Sequence, residues 1–327
     1  MDRCYGNEAS ILLPHFPVRL FREQNMAVVE DTGEFRYLPG QAQALGTDVP
    51  SVERISLTLP DGRTLSALRF GDGAPEVTLL HGAGLNAHTW DAVALLLGRP
   101  ALAIDLAGHG DSSWRDDLDY SPALLAEDIV RAMGAWTSGP QVLVGHSLGG
   151  LTASVIASSH TELVRELVLV DIVPGLDTDA APAILREFYA VTDFASRADA
   201  VARARSFGFG GSLEDTERGV FFNTRMRVDG RVEWKHHFAR IIGSAFDSLK
   251  ADHAAVADPW AELEAVTAPV TLVRGAHGFL QDSDVDAFRA HLPDSPVITV
   301  DAGHNVQETA PASLADIASG ALTRDAR

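Results

Sequence analysis

Residues 141–150 read QVLVGHSLGG, and the run continues as GGLTASVIAS. A short strand-forming stretch leads into Gly145-His146-Ser147-Leu148-Gly149, and an apolar helical pattern follows. A serine between strand and helix, with glycine two residues before and two after, marks a sharp turn that only small flanking residues allow to close. The hydroxyl in such a turn stands above a helix N-terminus, where partial positive charge and free N–H groups face an incoming carbonyl. A bare G-x-S-x-G string is common by chance. The strand before it and the helix after it make Ser147 a specific candidate nucleophile.

Working outward, strands and helices alternate. EVTLLHG, ALAIDLAGHG, a helix from Ser121-Pro122 to Trp136, QVLVGH, a helix to Ser158 and ELVLVDIVPG follow one another. Continuous apolar strands separated by helices predict an α/β protein, its mostly parallel sheet covered on both faces. RISLTL and LSALRF flank PDGR, which predicts a hairpin with Asp61-Gly62 at its tip. The rhythm breaks after Pro174 and returns with PVTLVRG, a helix near Asp284–His291, VITVDAGH and a last helix from about Pro311. The expected organisation is an irregular N-terminal extension (1–50), a core built from 51–173 and 261–327, and a helical cap (174–260) inserted between the halves of the core.

The whole chain narrows the function. Its 327 residues suffice for one large core with an insertion. Against 45 acidic residues stand 26 basic ones, a net charge of −19, which disfavours nucleic acid and anionic membrane surfaces as partners. Cys4 is the single cysteine, so no intramolecular disulfide forms. The N-terminus shows no apolar signal-peptide core, and no run is long enough to span a bilayer, so a cytoplasmic location is expected. A homodimer is compatible with this composition.

Two further stretches carry chemistry. LLHGAGLNAHTWD follows a strand, and its glycines let backbone N–H groups approach a developing oxyanion. Ala83 and Leu148 are the expected main-chain donors, Gly84 gives the loop room, and His81 is read as organising the loop. VDAGHNVQE places His304 after the last strand, where a neutral imidazole could take and return the serine proton. His236, His237 and His253 lack a convincing ligand set, so neither a metal nor another cofactor is expected. Asp105 reads as a strand-end support for the AGHGDS loop.

HGAGLNAHTW, DLAGHGDS, VGHSLGG, LVLVDIVPG and GHNVQE, in that order, resemble the α/β-hydrolase superfamily over about residues 52–324. The nearest likeness is to capped bacterial esterase-like hydrolases. The resemblance implies a Ser-His-acid triad, with Ser147 and His304 carried over directly. It fails at Gly278, in RGAHGFLQDSD, where the superfamily most often has its acid. Asp171, at the end of LVLVD, is the leading substitute, since some members of the superfamily place the acid after that strand. Asp282 or Asp284 is a second candidate, although capping the following helix explains them too. The third alternative is that there is no acid.

The cap's aromatic residues are expected to be core for the most part, with some roofing the pocket over Ser147. Gly84, His146, Phe188, Phe209, Phe222 and Trp234 are assigned to that pocket. Gly208-Phe209-Gly210-Gly211 reads either as a cap hinge or as a helix end. An apolar roof favours a small apolar ester or lactone, cleaved through an acyl-enzyme on Ser147. A C–C bond hydrolase or lyase using the same triad, and a noncatalytic ligand-binding protein, are the competing readings. Haloalkane dehalogenase and epoxide hydrolase are disfavoured, because the resemblance associates both with Asp at the nucleophile position.

Overall fold

The computed structural model describes residues 33–176, 182–242 and 258–324. From Tyr37 onward the chain is one compact unit. Its centre is an eight-stranded sheet in the order β1-β2-β4-β3-β5-β6-β10-β11. These strands are β1 Val52–Thr58, β2 Thr64–Phe70, β3 Val77–Leu80, β4 Ala101–Asp105, β5 Gln141–His146, β6 Val164–Val170, β10 Val270–His277 and β11 Val297–Gly303. The hairpin β1/β2 and the pair β2/β4 are antiparallel, and all other neighbours are parallel. The predicted turn sits between Thr58 and Thr64, with Gly62 at φ 86° and Asp61 bound to the Arg63 side chain at 2.7 Å.

Every residue of β3, β4 and β5 is buried, as the unbroken apolar runs require of strands covered on both faces. The helices α2 Asp91–Leu97, α3 Pro122–Trp136 and α4 Leu148–Ser159 separate the central strands in sequence. Pro122 opens α3 in the first turn, where its missing N–H costs nothing. The second half of the core adds α8 Ala261–Glu264, α9 Asp282–His291, α10 Val306–Thr309 and α11 Pro311–Thr323. Among the described residues no helix is long and apolar enough to cross a membrane.

Two segments differ from expectation. Part of the stretch read as irregular is a helix, α1 Leu38–Leu45, which buries Leu38 and Ala42. Its Pro39 and Gly40 mask the helical period in the sequence, yet proline is tolerated in a first turn and Gly46 closes the helix at φ 69°. Between β6 and β10 lie α5 Pro182–Tyr189, α6 Arg197–Ser206 and α7 Leu213–Asn223, as a helical segment requires. This segment also holds a small antiparallel sheet of β7 Asp193–Phe194, β8 Thr224–Met226 and β9 Val232–Trp234, in the order β7-β9-β8. Strands of two and three residues are too short to show an alternating pattern in the sequence. Gly208-Phe209-Gly210-Gly211 terminates α6, with the Phe209 N–H on the Ala204 carbonyl at 2.9 Å. His253 lies outside the described residues.

Candidate active site

Ser147 follows β5 directly and precedes α4, at φ 51° and ψ −120°. That backbone conformation is disfavoured for any residue with a Cβ and is strained by about 1–3 kcal/mol. The surrounding packing holds it. A methyl group on Gly145 would come 2.4 Å from the Gly149 carbonyl oxygen, and one on Gly149 would come 2.3 Å from that of Leu80. Glycine at these two positions is therefore a steric requirement of the turn. Leu148 is the first residue of α4, so its N–H has no partner within the helix.

The loop after β3 abuts this turn. A methyl group on Gly82 would lie 3.1 Å from Ser147 Cβ. The Leu85 N–H bonds the Gly82 carbonyl at 3.2 Å, which folds the loop back past Ala83 and Gly84. His81 braces it from beneath: the Leu106 N–H donates to Nε2 at 3.0 Å, so Nδ1 carries the proton and donates to the Gly82 carbonyl at 2.8 Å. Asp105 braces it from the side. The carboxylate accepts from the Ala87 N–H at 2.7 Å and the Asp111 N–H at 3.1 Å, and pairs with Arg54 at 2.7 Å. Burial opposes the charge on Asp105, but Arg54 and the two N–H groups outweigh it and hold the carboxyl below its ordinary range.

His304 follows β11, and its Nδ1 donates to Asp171 Oδ2 at 2.8 Å. That bond keeps the ring proton on Nδ1 and leaves Nε2 as the basic atom. Phe279 stacks on the imidazole at 3.7 Å and 13°, and the His146 ring is tilted against it at 4.5 Å. His146 is buried behind the elbow and accepts from Gln307 Nε2 at 3.4 Å.

Asp171 follows the last residue of β6 and is fully buried at φ 50°. Its carboxylate accepts three N–H groups: Gly275 on Oδ1 at 3.0 Å, and Phe279 (2.8 Å) with His304 on Oδ2. Two of these donors come from the segment that contains Gly278. A methyl group on Gly278 would lie 2.2 Å from Asp171 Oδ2 and 2.5 Å from both Cγ and Oδ1. The carboxylate of Asp171 thus occupies the space into which a side chain at 278 would project, and the two positions exclude each other. The other carboxylates are engaged elsewhere. Asp282 pairs with Arg274 at 2.7 Å and its side chain is 89% exposed, while Asp284 accepts the Gln281 N–H in the capping box of α9.

Of the aromatic residues expected over Ser147, Phe188 and Trp234 are buried in the core of the segment between β6 and β10, and Phe209 packs on Phe188 at 4.8 Å. Phe222 stacks on His88 at 3.7 Å. Ala83 packs instead against a cluster of Phe238 and Ile242, and Leu185 and Tyr189 pack against the same cluster. In sequence, Phe188 and Tyr189 carry the same signal, an aromatic residue near a helix end; the turn of about 100° between them leaves Phe188 inside one cluster and sets Tyr189 against both.

Four histidines near the site, His81, His109, His146 and His236, are buried and neutral. Burial lowers each below the ordinary value of 6.5, with His236 brought down to about 3. The unfolded chain binds these protons as pH falls through about 6.5 and the folded chain does not, so stability is complete above that pH and declines below it. Each histidine steepens the decline by up to about 1.4 kcal/mol per pH unit, for His236 down to about pH 3. Urea unfolding at pH 7, 6 and 5 should show a progressive loss, and His236→Phe should reduce the slope by about one proton. A flat profile between pH 7 and 5 would contradict the burial assignment.

The alpha/beta hydrolase family profile matches residues 79–317. Esterase Rv0045c of Mycobacterium tuberculosis is 37% identical over 306 residues, covering 88% of this chain and 95% of that protein. A 2-(acetamidomethylene)succinate hydrolase of Mesorhizobium japonicum is 26% identical over 271 residues, covering 82% of this chain and 95% of its own. A solved structure of the M. tuberculosis esterase matches with a TM-score of 0.75 at 34% identity, covering 89% of this chain and 99% of the other. With the sheet order, the strained serine turn and these matches together, the chain belongs to the alpha/beta hydrolase family.

Proposed function

We propose that the protein hydrolyses carboxylic esters, lactones included, through an acyl-enzyme on Ser147. The observation that carries this reading is the bond from His304 to the buried Asp171 at the sheet edge that also bears the strained Ser147. Ser147 Oγ attacks the ester carbonyl and gives its proton to His304 Nε2. The Ala83 and Leu148 N–H groups receive the developing oxyanion. His304 then protonates the leaving alkoxide, and a water deprotonated by the same nitrogen releases the acid. Asp171 holds the tautomer and stabilises the imidazolium. Similarity over nearly the full length to a protein named an esterase supports the substrate class. Residues 182–242 act as a cap, whose Leu185, Phe238 and Ile242 give the acyl group an apolar wall. The expected location is the cytoplasm.

A fluorophosphonate should label wild type and leave Ser147→Ala unlabelled. Turnover of short p-nitrophenyl esters should fall by at least about 10³-fold in that variant. Labelling without ester turnover would move the reaction to another acyl or carbon–carbon substrate. The absence of both labelling and turnover would overturn the acyl-enzyme.

A further inference from the structure

Tyr189 ends α5, with its phenol beside the loop that carries Ala83. A methyl group on Gly84, itself at φ 75°, would come 2.9 Å from Tyr189 Oη and 3.6 Å from Phe238 Cδ1. The neighbouring wall of Leu185, Phe238 and Ile242 is apolar. Among the described residues nothing hydrogen-bonds Tyr189 Oη. Burial raises the phenol above its ordinary range, so it stays an O–H donor.

His236 meets the Tyr189 ring edge-on at 5.0 Å. The Ala239 N–H donates to His236 Nδ1 at 3.2 Å, which puts the ring proton on Nε2. That buried Nε2–H has no acceptor among the described residues. Behind it His109 lies nearly parallel at 6.1 Å, its Nδ1 donating to the Ala107 carbonyl at 3.1 Å and its Nε2 likewise unpaired. A buried polar atom left unpaired costs about 1–3 kcal/mol, so two at adjacent rings beside a free phenol mark a place built for a polar group.

We propose that Tyr189 Oη and His236 Nε2–H form a polar subsite beside the oxyanion loop that receives an uncharged oxygen of the substrate's acyl chain. The inference rests on the ester-hydrolase reading and refines it: the preferred acyl group carries a keto, ether or hydroxyl oxygen a few atoms from the scissile carbonyl. An oxygen entering this otherwise apolar wall loses its water and regains hydrogen bonds here. A carboxylate would lose far more hydration and meet only neutral donors, so the subsite selects a neutral oxygen.

The test compares p-nitrophenyl 4-oxopentanoate with pentanoate, and methoxyacetate with butanoate, in wild type, Tyr189→Phe and His236→Phe. The readout is the ratio of kcat/KM, oxygenated over alkyl, within each enzyme. Intrinsic ester reactivity and any general effect of the substitution cancel in that comparison. Tyr189→Phe, which keeps the ring, should lower at least one ratio roughly tenfold, the worth of one hydrogen bond of about 1.4 kcal/mol. Unchanged ratios in an active enzyme would overturn the subsite alone, as would an equal loss on all four esters, which would assign Tyr189 to the reacting carbonyl or to packing. If wild type does not exceed Ser147→Ala on any of the four, the ester reading itself fails, and the subsite with it.

Discussion

Asp171→Asn is expected to lower kcat by about 10²- to 10⁴-fold on any ester the enzyme accepts, with the fold retained. The carboxylate receives three N–H donors and offers none, and an amide cannot reproduce this. If its NH₂ takes the place of Oδ2, it opposes both the Phe279 N–H and His304 Nδ1, and His304 is driven to the tautomer that cannot accept the serine proton. That is the upper end of the range. If its NH₂ takes the place of Oδ1, it opposes only the Gly275 N–H, so the tautomer survives and only the negative charge is lost. That is the lower end. Either arrangement faces buried donors against each other and costs about 1–3 kcal/mol of stability. Circular dichroism and kcat on one short ester suffice. An Asp171→Asn enzyme equal to wild type would return the acid to Asp282 or Asp284, or show that none is used.

Gly278→Ala should be nearly as damaging, although the substitution adds one methyl group to a residue with no catalytic atom. Its Cβ would stand within 2.5 Å of three atoms of the Asp171 carboxylate, which is fully buried and anchored by three N–H groups. Overpacking of this kind costs about 1–3 kcal/mol. Displacing the carboxylate should also loosen His304 and reduce kcat by about 10²-fold or more. The structure suggests a stronger form of the experiment. In Asp171→Gly/Gly278→Asp the acid moves to the position the superfamily uses more often. Glycine at 171 accepts φ 50° without strain and vacates the space that a side chain at 278 enters. Activity should recover at least tenfold over Asp171→Gly alone, while Gly278→Asp by itself should be inactive and destabilised, because two carboxylates would compete for one buried space. No recovery in the double variant would show that the loop after β10 cannot aim a carboxylate at His304.

The parts of the site that are local in the chain were legible from the sequence. A strand-to-helix turn at Ser147 is possible only where residues two before and two after have no Cβ, and that condition is written in Gly145 and Gly149. The same holds for the His81-Gly82 loop and for the alternation that predicted the sheet, since burial on both faces demands unbroken apolar strands. His304 was marked by its place after the last core strand. Which carboxylate meets His304 was not legible in this way. Asp171 and His304 lie 133 residues apart and meet because β6, β10 and β11 are neighbours in the sheet. Asp171, Asp282 and Asp284 look alike in sequence, and tertiary packing alone buried the first and left the others to an ion pair and a helix cap. The placing of the aromatic residues was less legible still. Helical spacing marks an aromatic residue as facing inward but does not say which interior it faces, and only the fold set Tyr189 against both clusters while Phe188 lies within one. Gly278, which first read as a missing residue, is the clearest case of what the tertiary structure decided: its lack of a side chain is what lets the carboxylate of Asp171 occupy that space.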